Sequence, residues 1–394
     1  MKIARIEAIP LEATFARVFG GIEKVPPELL RPAAHFQKIV RSGQFTTLAM
    51  ITGDDGSIGI GEAFGLPDPV ATASLITRVI APGLIGLEVT APGEMLSEYR
   101  RYFNAMGHTR GQPYEALSAI DIALWDLKAK GAGMPLCRLL GAEPGLVPMY
   151  VSPVPFLPTT DASAQAAKTY VNQGYKAIKL KIGRGVSTDL DHIGAVRDAI
   201  GNDIGLMLDA NCAYEETTAI ALGRELGKLK VTWYEEPIPP GDPAALARVR
   251  AKSTVPIAAG ENEFALAEYE SLIAAGAADF LMPNIARAGG VSGLLAIGKI
   301  CAKAGIGMSP HGVGSSVAVA AALHVCRAAE GFCFYEANRL LNPLRDELPS
   351  EKLRLVDGAY LTPGKVGHGG DPDPRMLEMF RVGSESALRM AAAQ

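Results

Sequence analysis

A basic excess, paired cysteines and long uninterrupted apolar runs are all missing from this 394-residue chain. With 38 Lys and Arg against 42 Asp and Glu the formal net charge is −4, which gives no electrostatic case for nucleic acid or an anionic membrane as partner. The five cysteines, Cys137, Cys212, Cys301, Cys326 and Cys333, are odd in number and not closely paired. Such a pattern reads as reduced thiols in a cytoplasmic protein, with Cys212 as small buried filler. The amino terminus, MKIARIEAIPLEATFARV, alternates like a strand and has no continuous apolar core of a signal peptide. Residues 305–326 carry no Asp, Glu, Lys or Arg, but Ser309, Pro310, His311, Gly312, Gly314, Ser315 and Ser316 interrupt them. They read as a buried strand, a turn and a helix instead of a membrane span.

What is present is a globular composition, 48% hydrophobic and 20% charged, on a chain long enough for a barrel of roughly 250 residues and a second, smaller domain. KIARIEAIPL and TTLAMITGDDGSIGIGEA alternate as strands, with Asp55-Gly56 as a hairpin turn. Glycines 59, 61 and 65 would suit a phosphate loop, yet no Lys-Ser/Thr follows them, so the hairpin is the better reading. Apolar spacing in ATASLITRVIAPGLIG and YEALSAIDIALWDLKAKG predicts helices between 70 and 145, the second stopped by Gly131 and Pro135. From VPMYVSP (147–153) strands and helices alternate to about residue 345. The expected organisation is an α+β cap over 1–135, a barrel over 136–350 and a tail, 351–394, that returns to the cap.

The second half has a cadence. Lys181, Asp209, Glu235, Glu261, Asn284, His311 and Glu336 each close a short apolar run, with steps of 23 to 28 residues between them. One strand plus one helix occupies such a step, and in a parallel barrel the carboxyl ends of the strands converge on one mouth. Asp209, Glu235 and Glu261 would then place three carboxylates in one cavity, a repulsive cluster that requires a cation. All-oxygen donors select a hard ion, Mg²⁺ before Mn²⁺ or Ca²⁺. Lys179 and Lys181, two apart on a strand, face the same side, and two close ammonium groups are expected to lower each other's pKa and yield a base. His311 would approach from the opposite side. Glu336 could hydrogen-bond a substrate oxygen if protonated, or be a plain helix cap.

The Lys-x-Lys at 179–181, the Asp-x-Asn of LDAN, the Glu-Glu-Pro of WYEEP, the Gly-Glu-Asn of AAGEN and the Ser-Pro-His near 310 together resemble the enolase superfamily, in its mandelate racemase-like branch. The resemblance covers essentially the whole chain. It implies an α/β fold, a modified TIM (β/α)7β barrel with an α+β capping domain built from the N-terminal part and the C-terminal tail. It also implies one Mg²⁺ per subunit, with Mn²⁺ as a substitute, held by Asp209, Glu235 and Glu261, with Asn211 and Asn262 beside those ligands. Lys181 would be the base, Lys179 would tune it, His311 would stand on the other face, and Glu336 would meet the substrate carboxylate.

One position departs from the branch. Asn284 in LMPNIARAGG stands where an aspartate usually orients the histidine. An asparagine can accept a hydrogen bond from the imidazole but cannot stabilise imidazolium as a carboxylate does, so His311 becomes a poor base. The expected reaction is therefore removal of the proton alpha to a carboxylate by Lys181, then loss of a beta-hydroxyl as water with His311 as general acid. That is an acid-sugar dehydratase acting on a small carboxylate, expected as a homo-oligomer. The alternatives are a racemase or epimerase, and a non-catalytic metal-containing barrel that binds sugar acids. Lys24, Arg31, His35, Tyr102, His108 and Arg110 are the candidate substrate contacts from the cap.

Overall fold

The structure is a computed structural model that describes residues 1–31, 33, 35, 36 and 38–383. Three antiparallel strands open the cap: β1 (Ile3–Thr14), β2 (Gly43–Gly53) and β3 (Ile58–Ala63). β1 runs against β2 from Ile3 opposite Gly53 to Thr14 opposite Gly43. β2 and β3 form the expected hairpin, whose Gly56 has φ 84° and whose Ser57 amide donates to Asp55 Oδ1 at 2.9 Å.

The glycines of β3 serve packing. An added Cβ would fall 2.1 Å from the Ala123 carbonyl oxygen at Gly59 and 1.9 Å from that of Ala119 at Gly61. Side chains there would drive away the long helix Gln112–Gly131, which lies directly on the strand. That helix is buried nearly all round, and its residues belong both to the cap core, with Ile51 and Ile76, and to the barrel core, with Val151 and Ile178.

After a short β4 (Leu146–Val147) come the barrel strands β5 (Met149–Val154), β6 (Ala177–Lys181), β7 (Gly205–Asp209), β8 (Trp233–Glu235), β9 (Ile257–Ala259), β10 (Phe280–Leu281), β11 (Gly307–Met308) and β12 (Tyr335–Asn338). Their order is β11-β10-β9-β8-β7-β6-β5-β12, all parallel. A further parallel bridge, Met308 to Phe332, closes the ring. One helix crosses back between each consecutive pair of barrel strands, so the expected (β/α)7β barrel is present. Its floor is a plug of Tyr150, Met207, Trp233 and Met282, with Tyr150 edge-on to Trp233 at 5.2 Å. Each such large side chain contributes roughly 1.5–3 kcal/mol on burial.

The C-terminal segment first forms β13 (Arg354–Val356) and β14 (Ala359–Leu361), and β14 pairs with β4 at the entrance to the barrel. Only then does it reach the cap, where Phe380 joins the core of Ile9, Leu11 and Leu48. Among the described residues no helix is long and apolar enough to cross a membrane, and all five cysteines are free.

Candidate active site

Register builds the first half of the site. Lys181 is aligned with Asp209, and Asp209 with Glu235, so their side chains leave the sheet side by side. The cadence is looser in the other half. Glu261, Asn284 and His311 lie in the turns just past β9, β10 and β11, and Glu336 is the second residue of β12, not its end. Strands of two or three residues finish before the mouth, and the turns carry the polar groups into it.

Oxygens of Asp209, Glu235 and Glu261 lie within 4.8 Å of one another, and all three residues are buried. Burial and the Asp209 carboxylate push Glu235 well up. Glu261 Oε2 is buried and accepts no hydrogen bond, with His311 Nε2 3.3 Å away. Three hard anionic donors with one oxygen left unsatisfied fit a divalent cation of the Mg²⁺ type.

The lysines differ from expectation. Lys179 is fully buried, its Nζ 2.8 Å from Glu235, 3.0 Å from Glu336 and 3.4 Å from Asp209. Burial works against its charge, but these carboxylates outweigh it and hold the pKa well above the ordinary value. Lys181 donates to Asp209 Oδ2 at 2.5 Å and to Asn211 Oδ1 at 2.6 Å, and its pKa is raised too, burial being outweighed by Asp209. The lysine–lysine repulsion expected to lower both values is thus secondary to the carboxylates. A cation taking up the same carboxylate charge removes that opposition, leaving burial and Lys179 to favour the neutral amine. Only Lys181 of the two lines the cavity.

His311 and Asn284 meet in an unexpected sense. Asn284 Oδ1 accepts from the Ala286 amide at 2.8 Å, and its Nδ2 donates to the Val313 carbonyl at 2.9 Å. With both amide atoms committed, Nδ2 also faces His311 Nδ1 at 2.9 Å. The asparagine therefore donates to the ring instead of accepting from it, Nδ1 is an acceptor, and the ring proton sits on Nε2. Burial, more than the opposing pull of Glu261 and Glu336, lowers the His311 pKa.

Glu336 is not the protonated donor expected. Burial raises its pKa, but the Lys179 ammonium 3.0 Å away brings it below the usual carboxylate range. It accepts from the Gly312 amide at 3.0 Å. Gly312 has to be glycine, because a Cβ there would lie 1.7 Å from the Glu336 carbonyl oxygen.

Lys181, Asn211, Glu261, Asn262, His311 and Glu336 share one cavity of about 1040 Å³ with residues of the cap. Of the candidate substrate contacts, His35 and Arg110 line it, whereas Lys24, Arg31, Tyr102 and His108 do not. Arg110 is committed to Glu263 at 2.7 Å and Glu268 at 3.3 Å. Cys212 also lines the cavity. Its Sγ lies 3.1 Å from Glu236 Oε2, and burial followed by that carboxylate pushes the thiol far up. Residues that the cadence did not select are Arg41, Phe64, Glu236 and Arg287. Arg287, three residues past Asn284, stacks 3.7 Å from the Phe64 ring centroid. Its position in the same strand-end turn was the available signal.

The chain belongs to the mandelate racemase and muconate lactonizing enzyme family of the enolase superfamily. Residues 161–376 match the family described as Enolase C-terminal domain-like. Residues 24–141 match Mandelate racemase / muconate lactonizing enzyme, N-terminal domain. Members of the superfamily use Mg²⁺. The chain is 34% identical to D-galactarolactone cycloisomerase of Agrobacterium fabrum, over 85% of this chain and 91% of that protein. It is also 34% identical to L-talarate/galactarate dehydratase of Salmonella typhimurium, over 82% and 79%. The crystal structure of 3,6-anhydro-D-galactonate cycloisomerase from Zobellia galactanivorans superposes with a TM-score of 0.83 at 30% identity, covering 97% of this chain and 99% of that one.

Proposed function

We propose that this protein is a Mg²⁺-dependent acid-sugar dehydratase. The observation that carries the reading is the placement of Lys181 and His311 in one cavity beside a buried triad of Asp209, Glu235 and Glu261. The chemistry that a Mg²⁺ ion held by these three carboxylates supplies is stabilisation of negative charge gathering on the substrate carboxylate. Lys181, as the neutral amine, removes the proton alpha to that carboxylate. The beta carbon–oxygen bond then breaks, the hydroxyl leaves as water, and the resulting enol becomes a 2-keto-3-deoxy acid. His311 was expected to be the acid, but Asn284 leaves Nδ1 without a proton. The ring therefore gives a hydrogen bond from Nε2 to the departing oxygen, and the proton that completes the water is the one Lys181 has taken up.

A cycloisomerase is the second reading, supported by the 34% identical relative of that name. If the leaving oxygen is tethered to the substrate, the same proton removal opens a ring and the product is an isomer. Racemisation is the weaker alternative, because a His311 held by Asn284 is a poor second base. The deciding experiment incubates the Mg²⁺-loaded protein with open acid sugars and with their anhydro and lactone forms, and follows 2-keto product. Formation of 2-keto acid only from the ring forms would replace the dehydratase reading; epimer formation without keto product would remove both. We also propose that the protein is cytoplasmic, in keeping with five free cysteines, and that it assembles as a homo-oligomer.

A further inference from the structure

The cations lining the cavity are not equivalent. Among the described residues, Lys181 pairs with Asp209 at 2.5 Å, Arg110 with Glu263 at 2.7 Å, Arg287 with Glu115 at 3.4 Å and Arg345 with Asp346 at 2.6 Å. Arg41 is different: among the described residues its guanidinium has only neutral acceptors, Gln44 Oε1 at 2.6 Å and the Gly43 carbonyl at 3.4 Å.

The arrangement around Arg41 holds it in place. Gln44 is buried and its Nε2 donates to the Leu341 carbonyl of the barrel at 2.7 Å, so its oxygen is turned to the arginine. Phe15 lies against the guanidinium, 5.9 Å to the ring centroid, and the Arg41 amide donates to Leu30. Burial lowers the Arg41 pKa. A partly desolvated, pre-oriented guanidinium whose partners are all neutral is strongly stabilised by an anion, and its planar fork suits a carboxylate.

Lys181 and the acidic triad belong to barrel strands, whereas Arg41 comes from the cap segment before β2. We propose that Arg41 is the anchor for a second carboxylate at the far end of the substrate, so that the preferred acid sugar is a diacid. This rests on the dehydratase reading, which assigns the first carboxylate to the metal end.

The test compares kcat/KM, with Mg²⁺ present, for six-carbon diacids, for the monoacids of the same hydroxyl configuration, and for the monolactones in which the distal carboxyl is esterified. The wild type should favour the diacids. In Arg41→Met the diacid-to-monoacid ratio should fall by about 10- to 100-fold, and Arg41→Lys should retain part of it. Thermal melting confirms that both variants fold. Equal or better turnover of monoacids or monolactones by the wild type, or an unchanged ratio in Arg41→Met, overturns the diacid assignment and leaves the elimination chemistry standing. Absence of turnover and of alpha-proton exchange with every acid would instead remove the dehydratase reading. Calorimetric binding of diacid against monoacid would then still decide the role of Arg41, tighter diacid binding that Arg41→Met abolishes supporting it and equal binding refuting it.

Discussion

Asn284 Nδ2 lies 2.9 Å from His311 Nδ1 while the asparagine's own oxygen is taken by the Ala286 amide. The ring is thereby held neutral with its proton on Nε2. At about pH 7, long-range nitrogen–proton NMR should report a protonated Nε2 and a bare Nδ1 for His311. A signal for imidazolium at that pH would sink the assignment. Asn284→Asp should raise the histidine pKa, because a carboxylate stabilises the charged ring. Any limb of the pH–rate profile that reports His311 should then move to higher pH.

His311→Asn separates proton removal from elimination. Exchange of the substrate alpha proton with deuterated solvent should persist through Lys181, while formation of 2-keto acid falls roughly 10²- to 10³-fold, the usual loss for one hydrogen-bond donor to a developing negative charge. Equal loss of both readouts would make His311 part of the proton-removal step.

Lys181→Ala should abolish exchange and elimination together, by roughly 10²- to 10⁴-fold. Mass spectrometry of substrate recovered from deuterated buffer measures it directly. Retained exchange would move the base to another residue.

For the carboxylate triad, Glu261→Gln should weaken Mg²⁺ binding on the order of 100-fold, since losing even a group that only supports a metal ligand costs about 10- to 100-fold. Calorimetric titration with Mg²⁺ gives the comparison. The wild type should also melt at higher temperature with added Mg²⁺, and the variant much less so, because an ion bound only by the native state stabilises it. Unchanged affinity in Glu261→Gln would break up the proposed site.

His324 sets an acid limit on stability far from the cavity. Its Nδ1 accepts from the Cys137 amide at 3.0 Å and its Nε2 faces the His368 carbonyl at 3.1 Å. Burial, followed by His368, pushes its pKa from 6.5 down to about 3. The unfolded chain therefore binds a proton below about pH 6.5 that the native state refuses, so the stabilisation is complete above that pH and declines as pH falls toward 3, by at most about 1.4 kcal/mol per pH unit. Urea unfolding between about pH 7 and pH 4 should show this slope, and His324→Gln should flatten it. An identical slope in the variant would assign the effect to other groups.

The barrel was legible because most of its strands are marked twice, by the close of an apolar run and by a polar residue at the strand end or in the turn after it; Lys181, Asp209 and Glu235 close their strands and needed nothing more. Other features depend on contacts between distant parts of the chain. The direction of the Asn284 hydrogen bond follows from the carbonyl of Val313 and the amide of Ala286. The charge on Glu336 follows from Lys179, and the raised pKa values of the lysines from carboxylates on three different strands. Arg41 has no periodicity to announce it, and its position in the cavity depends on Gln44 reaching Leu341. The pairing of β14 with β4 was hidden for the same reason, since short strands of a few residues carry little pattern of their own.

The long barrel helix Ser316–Ala328, which begins just after His311, receives its first turn's support from another domain. Glu62 of β3, fully buried, accepts from the amides of Ser315 and Ala318, each at 2.7 Å, and from Thr46 Oγ1 at 2.9 Å. Burial raises its pKa and these donors oppose the rise, so its carboxyl oxygens sit at the positive end of that helix. Cap and barrel are consequently not interchangeable parts. A chimera that grafts this barrel onto a foreign cap must bring a glutamate at the position of Glu62, or the strand-to-helix turn that holds His311 loses its anchor. Substrate range can drift instead at exposed cap residues near Arg41 while β3 stays fixed, and laboratory evolution toward new acids should accumulate changes there and spare Glu62.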